Sequence, residues 1–375
     1  MANGFFKFLT IVFALIIGAV CGAGGYYFYK TNDEISHIEV YVAGDISFHF
    51  LELGNEHTGD CTYIKAGDVD ILIDAGSKVD SISTITAYIN NYVKDNTLEY
   101  VIVTHAHEDH YAGFATNSGE NSIFDLYSVG TIIDFAQTNK TSSNKMHGNY
   151  LREREEAVSR GAKHYTALEC VNNQNGAQDT FSIFGDITMK ILDHMYYHEV
   201  KENDENNHSV CTLFTQGTRN FLFTGDLEKE GEASLVSLNE LPHCELYKAG
   251  HHGSKTSSST TLLQAITPDI CCICCCAGNV EYTKGIVNEN TFPTQDFVDR
   301  ISPYTDRVYV TTLGKVKYNS EKGKYENDGF ESMNGNITVS STSGGVNVNC
   351  SNNDTLLKDT DWFRNNRVTP QAWVS

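Results

Sequence analysis

The chain has 375 residues, 40% of them hydrophobic and 20% charged, a balance that describes a globular protein and excludes a disordered one. Its formal net charge of −21 excludes a broad basic track for nucleic acid, because phosphate binding over a surface needs clustered Lys and Arg. A polyanionic substrate would have to be attracted at one point, as a bound metal ion can do.

Residues 8–29 carry no charge and are long enough to cross about 30 Å of hydrocarbon at about 1.5 Å per residue. Lys7 precedes this run, while Lys30 is soon followed by Asp33 and Glu34. That asymmetry predicts a single-pass transmembrane helix in the cell membrane, with the N-terminus inside and the body extracytoplasmic. Tyr26-Tyr27-Phe28-Tyr29 suits an interfacial belt, and Gly18 and Gly22 have the spacing of a helix-pairing face. The alternative is a signal peptide cleaved among the small residues around Cys21, which would release a secreted protein. The expected organisation is an anchor or signal segment over 1–30, one hydrolase domain over 31–355, and a tail over 356–375 packed through Trp362, Phe363 and Trp373.

After the anchor, residues 46–53 alternate as a strand and 54–59 form a loop. Residues 61–65 and 69–73 make a hairpin around Ala66-Gly67-Asp68, ending in Asp74-Ala75-Gly76. Residues 81–94 have helical spacing, and 98–103 form a short buried strand. Directly behind it comes Thr104-His105-Ala106-His107-Glu108-Asp109-His110. Neutral imidazoles and carboxylates are ligands that borderline metals accept, and this spacing suits a strand-to-helix turn where side chains fan around a point. The run reads as a metal site.

Further on, 129–135 is a strand and 150–161 an amphipathic helix stopped by Gly161. Residues 181–184 and 187–192 form a hairpin, and 210–215 with 220–223 another, ending in Thr224-Gly225-Asp226. A helix over 228–238 and a strand over 244–248 lead into Gly250-His251-His252-Gly253-Ser254. The run Cys271-Cys272-Ile273-Cys274-Cys275-Cys276 holds five of the eleven cysteines. It is read as a buried strand and not as a metal cluster, because neighbours along a strand point to opposite faces. Strands over 308–312 and 337–339 flank a polar loop at 315–329. Asp74, the His105–His110 run, Asp226 and His251/His252 each close an apolar strand, and strand ends are where α/β proteins gather their sites.

In that order these segments resemble the metallo-β-lactamase superfamily, and more closely the soluble hydrolase domain of ComEC-type competence proteins, as a stand-alone member. The matching residues include Leu72-Ile73-Asp74-Ala75-Gly76, the His105–His110 run, Asn206-Asn207-His208-Ser209-Val210, Phe221-Leu222-Phe223-Thr224-Gly225-Asp226 and the segment from Lys248 to Ser257. The likeness runs over about residues 45–345. The polytopic channel region is missing, the stretch from Leu53 to Cys61 is longer, and the family's His-Pro appears here as Thr291-Phe292-Pro293.

The resemblance implies an α/β fold, a four-layer αββα sandwich, with two divalent metal ions (Zn or Mn) at one rim. It assigns His105 and His107 to the first metal, Asp109 and His110 to the second, Asp226 as bridge, and His252 as the completing ligand. His194 is the choice for a third ligand of the first metal, with His198 and His208 as alternatives. Asp74 is expected to orient a ligand without touching metal. It implies a dimetal hydrolase using a metal-bridging hydroxide, with Asp109 supporting hydroxide activation and His251 protonating the leaving group. Ser254, Lys255 and Ser257 are candidates to hold a substrate phosphate. The substrate expected is a phosphodiester, in nucleic acid or in an envelope polymer. A non-phosphate ester or lactone hydrolase, or a non-catalytic metal-binding module, is the alternative within one fold.

Overall fold

The computed structural model describes residues 45–281 and 290–374. The predicted membrane segment over 8–29 therefore lies outside the described residues. Among those described, no helix is long and apolar enough to cross a membrane.

The chain builds two eight-stranded mixed sheets in sequence. The first starts with β1 (Ile46–Phe50), β2 (Thr62–Ala66), β3 (Val69–Ile73), β4 (Thr97–Val103), β5 (Ser128–Asp134) and β6 (Lys163–Thr166). The second holds β7 (Thr180–Phe184), β8 (Ile187–Leu192), β9 (Cys211–Gln216), β10 (Arg219–Phe223), β11 (Leu246–Lys248), β12 (Ile270–Ala277), β13 (Val308–Asn319) and β14 (Lys324–Ser332). The chain then returns to the first sheet with β15 (Ile337–Thr342) and β16 (Gly345–Cys350). The orders are β16-β15-β1-β2-β3-β4-β5-β6 and β14-β13-β12-β11-β10-β9-β8-β7. In each sheet an antiparallel meander feeds a parallel run, β3 to β6 and β10 to β13. Asp74, the His105 run, Asp226 and His251 follow the ends of β3, β4, β10 and β11, all parallel strands.

The sheets pack face to face through aromatics. Period-two alternation in β1 sends Phe48 inward, where its ring lies 4.6–5.7 Å from those of Phe214, Phe221 and Phe223. His49, between Phe48 and Phe50, points the other way and bonds Tyr88 Oη at 2.8 Å. Tyr88 lies on α1 (Ser81–Ile89), which buries Ile82, Ile85 and Ile89 against the outer face of the sheet. Two further helices of this half are α2 (Glu108–Tyr111), a single turn beginning inside the histidine motif, and α3 (Lys145–Ser159). The second sheet is covered by α4 (Lys229–Leu238), α5 (Thr260–Ile266), α6 (Gln295–Ile301) and α7 (Asp361–Asn366). Two mixed sheets with helices outside fit the αββα sandwich.

All eight residues of β12 are buried. Cys272 and Cys274 face the core between the sheets, whereas Cys271 and Cys275 face the core under the helices. The thiols act as small hydrophobes on alternating faces, and all cysteines among the described residues are free.

Residues 315–329 are not a loop. β13 runs on to Asn319 and pairs with β14 as an antiparallel hairpin. Both faces of its distal part are open to solvent, so the alternation that marks a strand never arises there. The helix predicted at 150–161 starts earlier, at Lys145, because Asn144 caps it by accepting the His147 N–H.

Glu232 on α4 is fully buried and accepts the backbone N–H groups of Ser258 and Ser259 at 2.6 and 2.7 Å. Burial pushes its carboxyl up to about 7, against the lowering effect of these bonds and of Arg300. A carboxyl raised above its ordinary value near 4.5 contributes stability that is full below that value and lost as pH rises through about 7. Wild type should therefore lose on the order of a few kcal/mol, relative to Glu232→Gln, between about pH 4.5 and 7.5. Urea unfolding of both proteins across that range checks this, and parallel pH profiles would contradict it.

Candidate metal centre

Three loops at the rim are stapled by backbone bonds. Asp60 N–H donates to Asp109 O at 2.9 Å, Gly76 N–H to Asp60 O at 2.9 Å, and Ala75 N–H to His110 O at 2.7 Å. The approach at residue 76 is so close that a Cβ there would lie 1.8 Å from Asp109 O, which is why Asp74-Ala75 is followed by glycine. The staple brings Asp60 into the site. Sequence reasoning missed it, although Gly59-Asp60 before β2 repeats the pattern of an acid beside a strand end.

One ligand atom each from Asp60, His110, Asp226 and His252 lies within 4.8 Å of the others, and all four residues are buried. His110 Nε2 is 3.1 Å from Asp226 Oδ2, and His252 Nε2 is 3.4 Å from both Asp226 Oδ2 and Asp109 Oδ2. His252 Nδ1 bonds Cys274 O at 2.8 Å, and His110 Nδ1 bonds Asp74 Oδ2 at 2.8 Å. Protons placed on these Nδ1 atoms leave both Nε2 lone pairs facing Asp226, the tautomers a metal would need. Asp74 also accepts the Thr104 N–H at 2.8 Å and its hydroxyl at 2.7 Å. It therefore grips the histidine loop from behind.

On the other side, His105 Nε2 and His107 Nδ1 lie 3.0 Å apart, within hydrogen-bond distance of each other. His105 is fully buried and its ring lies 4.1 Å from that of His110. The structure does not bring His194 into this group. Its Nε2 bonds Ser209 O at 2.9 Å, its Nδ1 accepts the Tyr196 N–H at 3.3 Å, and its ring lies 3.9 Å from that of Tyr197. His198 pairs with Asp193 at the surface. His208 is buried, with Nδ1 3.4 Å from Tyr196 O. From this segment Ser209 reaches His105, its hydroxyl 3.4 Å from Nδ1 beside that of Thr104 at 3.1 Å, and it also receives the Asp226 N–H at 2.9 Å.

His251 and His252 both adopt left-handed backbone, at φ 46° and 53°. Two such non-glycine residues in a row cost on the order of 1–3 kcal/mol each, strain that clusters at functional sites. The turn separates the two rings. His252 points inward, while His251 stays partly open, its Nδ1 held by Thr256 at 3.1 Å and Glu228 at 3.4 Å and its Nε2 3.9 Å from Asp226. Ser254 bonds Thr256, Lys255 is exposed and donates to Asn290, and Ser257 is fully buried. A substrate at the surface would meet Lys255 and not Ser257.

Whether a cation fits is decided by the donors. Asp60 Oδ1, Asp226 Oδ1, His110 Nε2 and His252 Nε2 are buried without a hydrogen-bond partner. Lys248, also buried, forms an ion pair with Asp60. Buried polar atoms left unpaired cost about 1–3 kcal/mol each, and here they converge with the chemistry of a borderline metal site. The donor set fits divalent metal.

Burial opposes charge on His252, yet Asp226 and Asp60 outweigh it and push the imidazole up to about 10. Burial likewise opposes charge on His110, where Asp226 and Asp74 hold it well above the usual range. Neutral imidazole is required for ligation, so binding must release protons. Divalent metal affinity should therefore rise with pH from 6 to 8. Calorimetry in buffers of different ionisation heat should show release of about one to two protons per ion bound at the His110–His252 side. A pH-independent affinity would contradict this.

The profile of the metallo-β-lactamase superfamily matches residues 54–116, the stretch that carries Asp60, Asp74 and the whole histidine run. Residues of this chain are 31% identical over 130 positions to Recombination protein 2 of Haemophilus influenzae, covering 34% of this chain and 15% of that protein. Over residues 54–116 the chain is similar to the metallo-β-lactamase superfamily. Competence protein ComA of Neisseria gonorrhoeae is 29% identical over 127 residues, 33% of this chain and 17% of that protein. The chain thus spans less than a fifth of the length of these curated relatives. The metallo-β-lactamase fold protein YhfI from Bacillus subtilis superposes with a TM-score of 0.41 at 10% identity, over 72% of this chain and 96% of that one.

Proposed function

We propose that this chain is a dimetal phosphodiesterase, anchored by residues 8–29 with its catalytic body outside the cytoplasm. The observation that carries the reading is the convergence of buried ligand atoms from Asp60, His110, Asp226 and His252 beside the His105–His107 pair. Two divalent ions, one held by His105 and His107, the other by Asp60, Asp109, His110 and His252, with Asp226 between, would supply positive charge and an activated water.

The chain's own residues do the rest. Asp74 and Cys274 O fix the rings of His110 and His252, so no reorientation is needed when substrate arrives. His251 sits at the mouth with Glu228 and Thr256 on Nδ1, which leaves Nε2 as the position that takes up or gives a proton. From there it can protonate a leaving oxygen. With a net charge of −21, the surface repels long polyanions, and recognition of nucleic acid or an envelope phosphodiester rests on the rim alone.

The test is hydrolysis of bis(p-nitrophenyl) phosphate by the full chain in mild detergent, with Zn²⁺ or Mn²⁺, with chelator, and with Asp109→Asn. Turnover lost in the last two conditions is the expected result. Folded, metal-loaded protein that does not turn over the diester would overturn the phosphodiesterase reading.

A further inference from the structure

Thr291-Phe292-Pro293 stands where the resembled family carries His-Pro, and nothing in the ligand set uses it. In the fold, the Phe292 ring lies 5.6 Å from that of His251 and 5.8 Å from that of His252. The same short segment is bonded to the histidine turn, since Thr294 N–H and hydroxyl both donate to Gly253 O, at 2.9 and 3.1 Å. Pro293 presses so closely that a Cβ on Gly253 would lie 2.7 Å from its Cβ. Phe292 therefore backs both rings of the strained His251–His252 turn.

What holds this segment comes from the far end of the chain. Arg367, just past α7, is buried, and its guanidinium donates to Pro293 O at 2.8 Å, Thr291 O at 2.7 Å and Thr291 Oγ1 at 2.9 Å. Its guanidinium stacks 4.8 Å from the Trp362 ring centre. A rigid planar donor that brackets Phe292 through carbonyls on both sides fixes the ring's position in a way a flexible ammonium cannot. Trp373, further along the tail, is anchored elsewhere, donating to Thr305 O at 3.0 Å and packing on Phe363.

We propose that Arg367 is a positioning residue for the metal centre: through the 291–294 segment and Phe292 it holds the His251–His252 turn in the geometry that binds metal. The C-terminal segment is then part of the site and not only a cover for the second sheet. This rests on the metal-centre reading above.

The experiment titrates metal-stripped full chain with MnCl₂ by calorimetry, alongside thermal unfolding of the metal-free proteins. Arg367→Ala should weaken Mn²⁺ binding by about tenfold, the low end of what outer-layer supports contribute. Phe292→Leu should do the same, and the double variant should bind no worse than either single one, since both act on one path. Arg367→Lys should recover part of the affinity. Trp373→Ala should lower the melting temperature while leaving Kd within about twofold of wild type. Should Arg367→Ala prove insoluble, Phe292→Leu and Arg367→Lys carry the same comparison. The proposal is overturned if Arg367→Ala unfolds earlier but binds Mn²⁺ as wild type does, or if Trp373→Ala weakens binding equally. Absence of binding in wild type would remove the metal-centre reading itself and this proposal with it, an outcome distinct from failure of the variants alone.

Discussion

Asp226→Asn is expected to lower phosphodiester hydrolysis by about 10³-fold or more, with little change in the metal-free fold. Asp226 lies 3.1 Å from His110 Nε2, 3.4 Å from His252 Nε2 and 3.9 Å from His251 Nε2. Burial opposes its ionisation, but His110, His252 and His251 hold it well below the usual carboxylate range. It is therefore an anion at every pH of interest. The amide has the same shape and no charge, so it cannot neutralise a cation, and a metal's share of catalysis is several kcal/mol, or at least about three powers of ten. Activity against bis(p-nitrophenyl) phosphate, together with metal content per chain, checks this. Full activity in the variant would displace Asp226 from the centre.

Lys248→Met should destabilise the metal-free protein by about 3–5 kcal/mol, the cost of leaving one partner of a buried ion pair alone. Lys248 is buried at the end of β11, and its ammonium faces the Asp60 carboxylate inside the cluster. Burial opposes its charge, yet Asp60 and Asp226 hold it above the ordinary lysine range. Removing it leaves Asp60 with imidazolium neighbours only, at 3.4 Å from His252 and 3.6 Å from His110. The melting temperature should fall by on the order of 5–10 °C. Added Zn²⁺ or Mn²⁺ should restore part of the loss, because an ion that binds only the folded state stabilises it by mass action. A Lys248→Met protein as stable as wild type without metal would show that the pair carries no net burden. Recovery by metal distinguishes a charge deficit from simple loss of packing.

The sequence made most of the rim legible because its residues sit at strand ends marked by apolar runs. Asp74, His105, His107, Asp109, His110, Asp226 and His252 all follow such runs, and the fold gathers them. Asp60 escaped because its loop is placed by backbone bonds to residues 76 and 109, a relation that no local pattern records. His194 also ends a strand, β8, yet its ring turns to Ser209 O and Tyr197. Position at a strand end does not fix which way a side chain faces. The hairpin of β13 and β14 was hidden for the opposite reason, since a ribbon wetted on both sides has no apolar period. The cysteine run was readable as a strand because alternation on the pleat forbids convergence of its thiols.

The first sheet is finished by the last strands made. β1 pairs with β15 on one side and β2 on the other, so Phe48 lies opposite Val339 and Ile64. Asp60 likewise meets its buried cation, Lys248, only after most of the second sheet exists. A nascent chain that has emerged only as far as β6 holds the histidine motif but an open edge along β1 and an unneutralised cluster of acids. Contacts this distant along the chain make folding slow and cooperative, and they favour completion after release over stepwise assembly during synthesis. Half of the candidate ligands, Asp60 and His110, precede the second sheet, while Asp226 and His252 follow strands within it, so the cluster forms only when the two sheets meet.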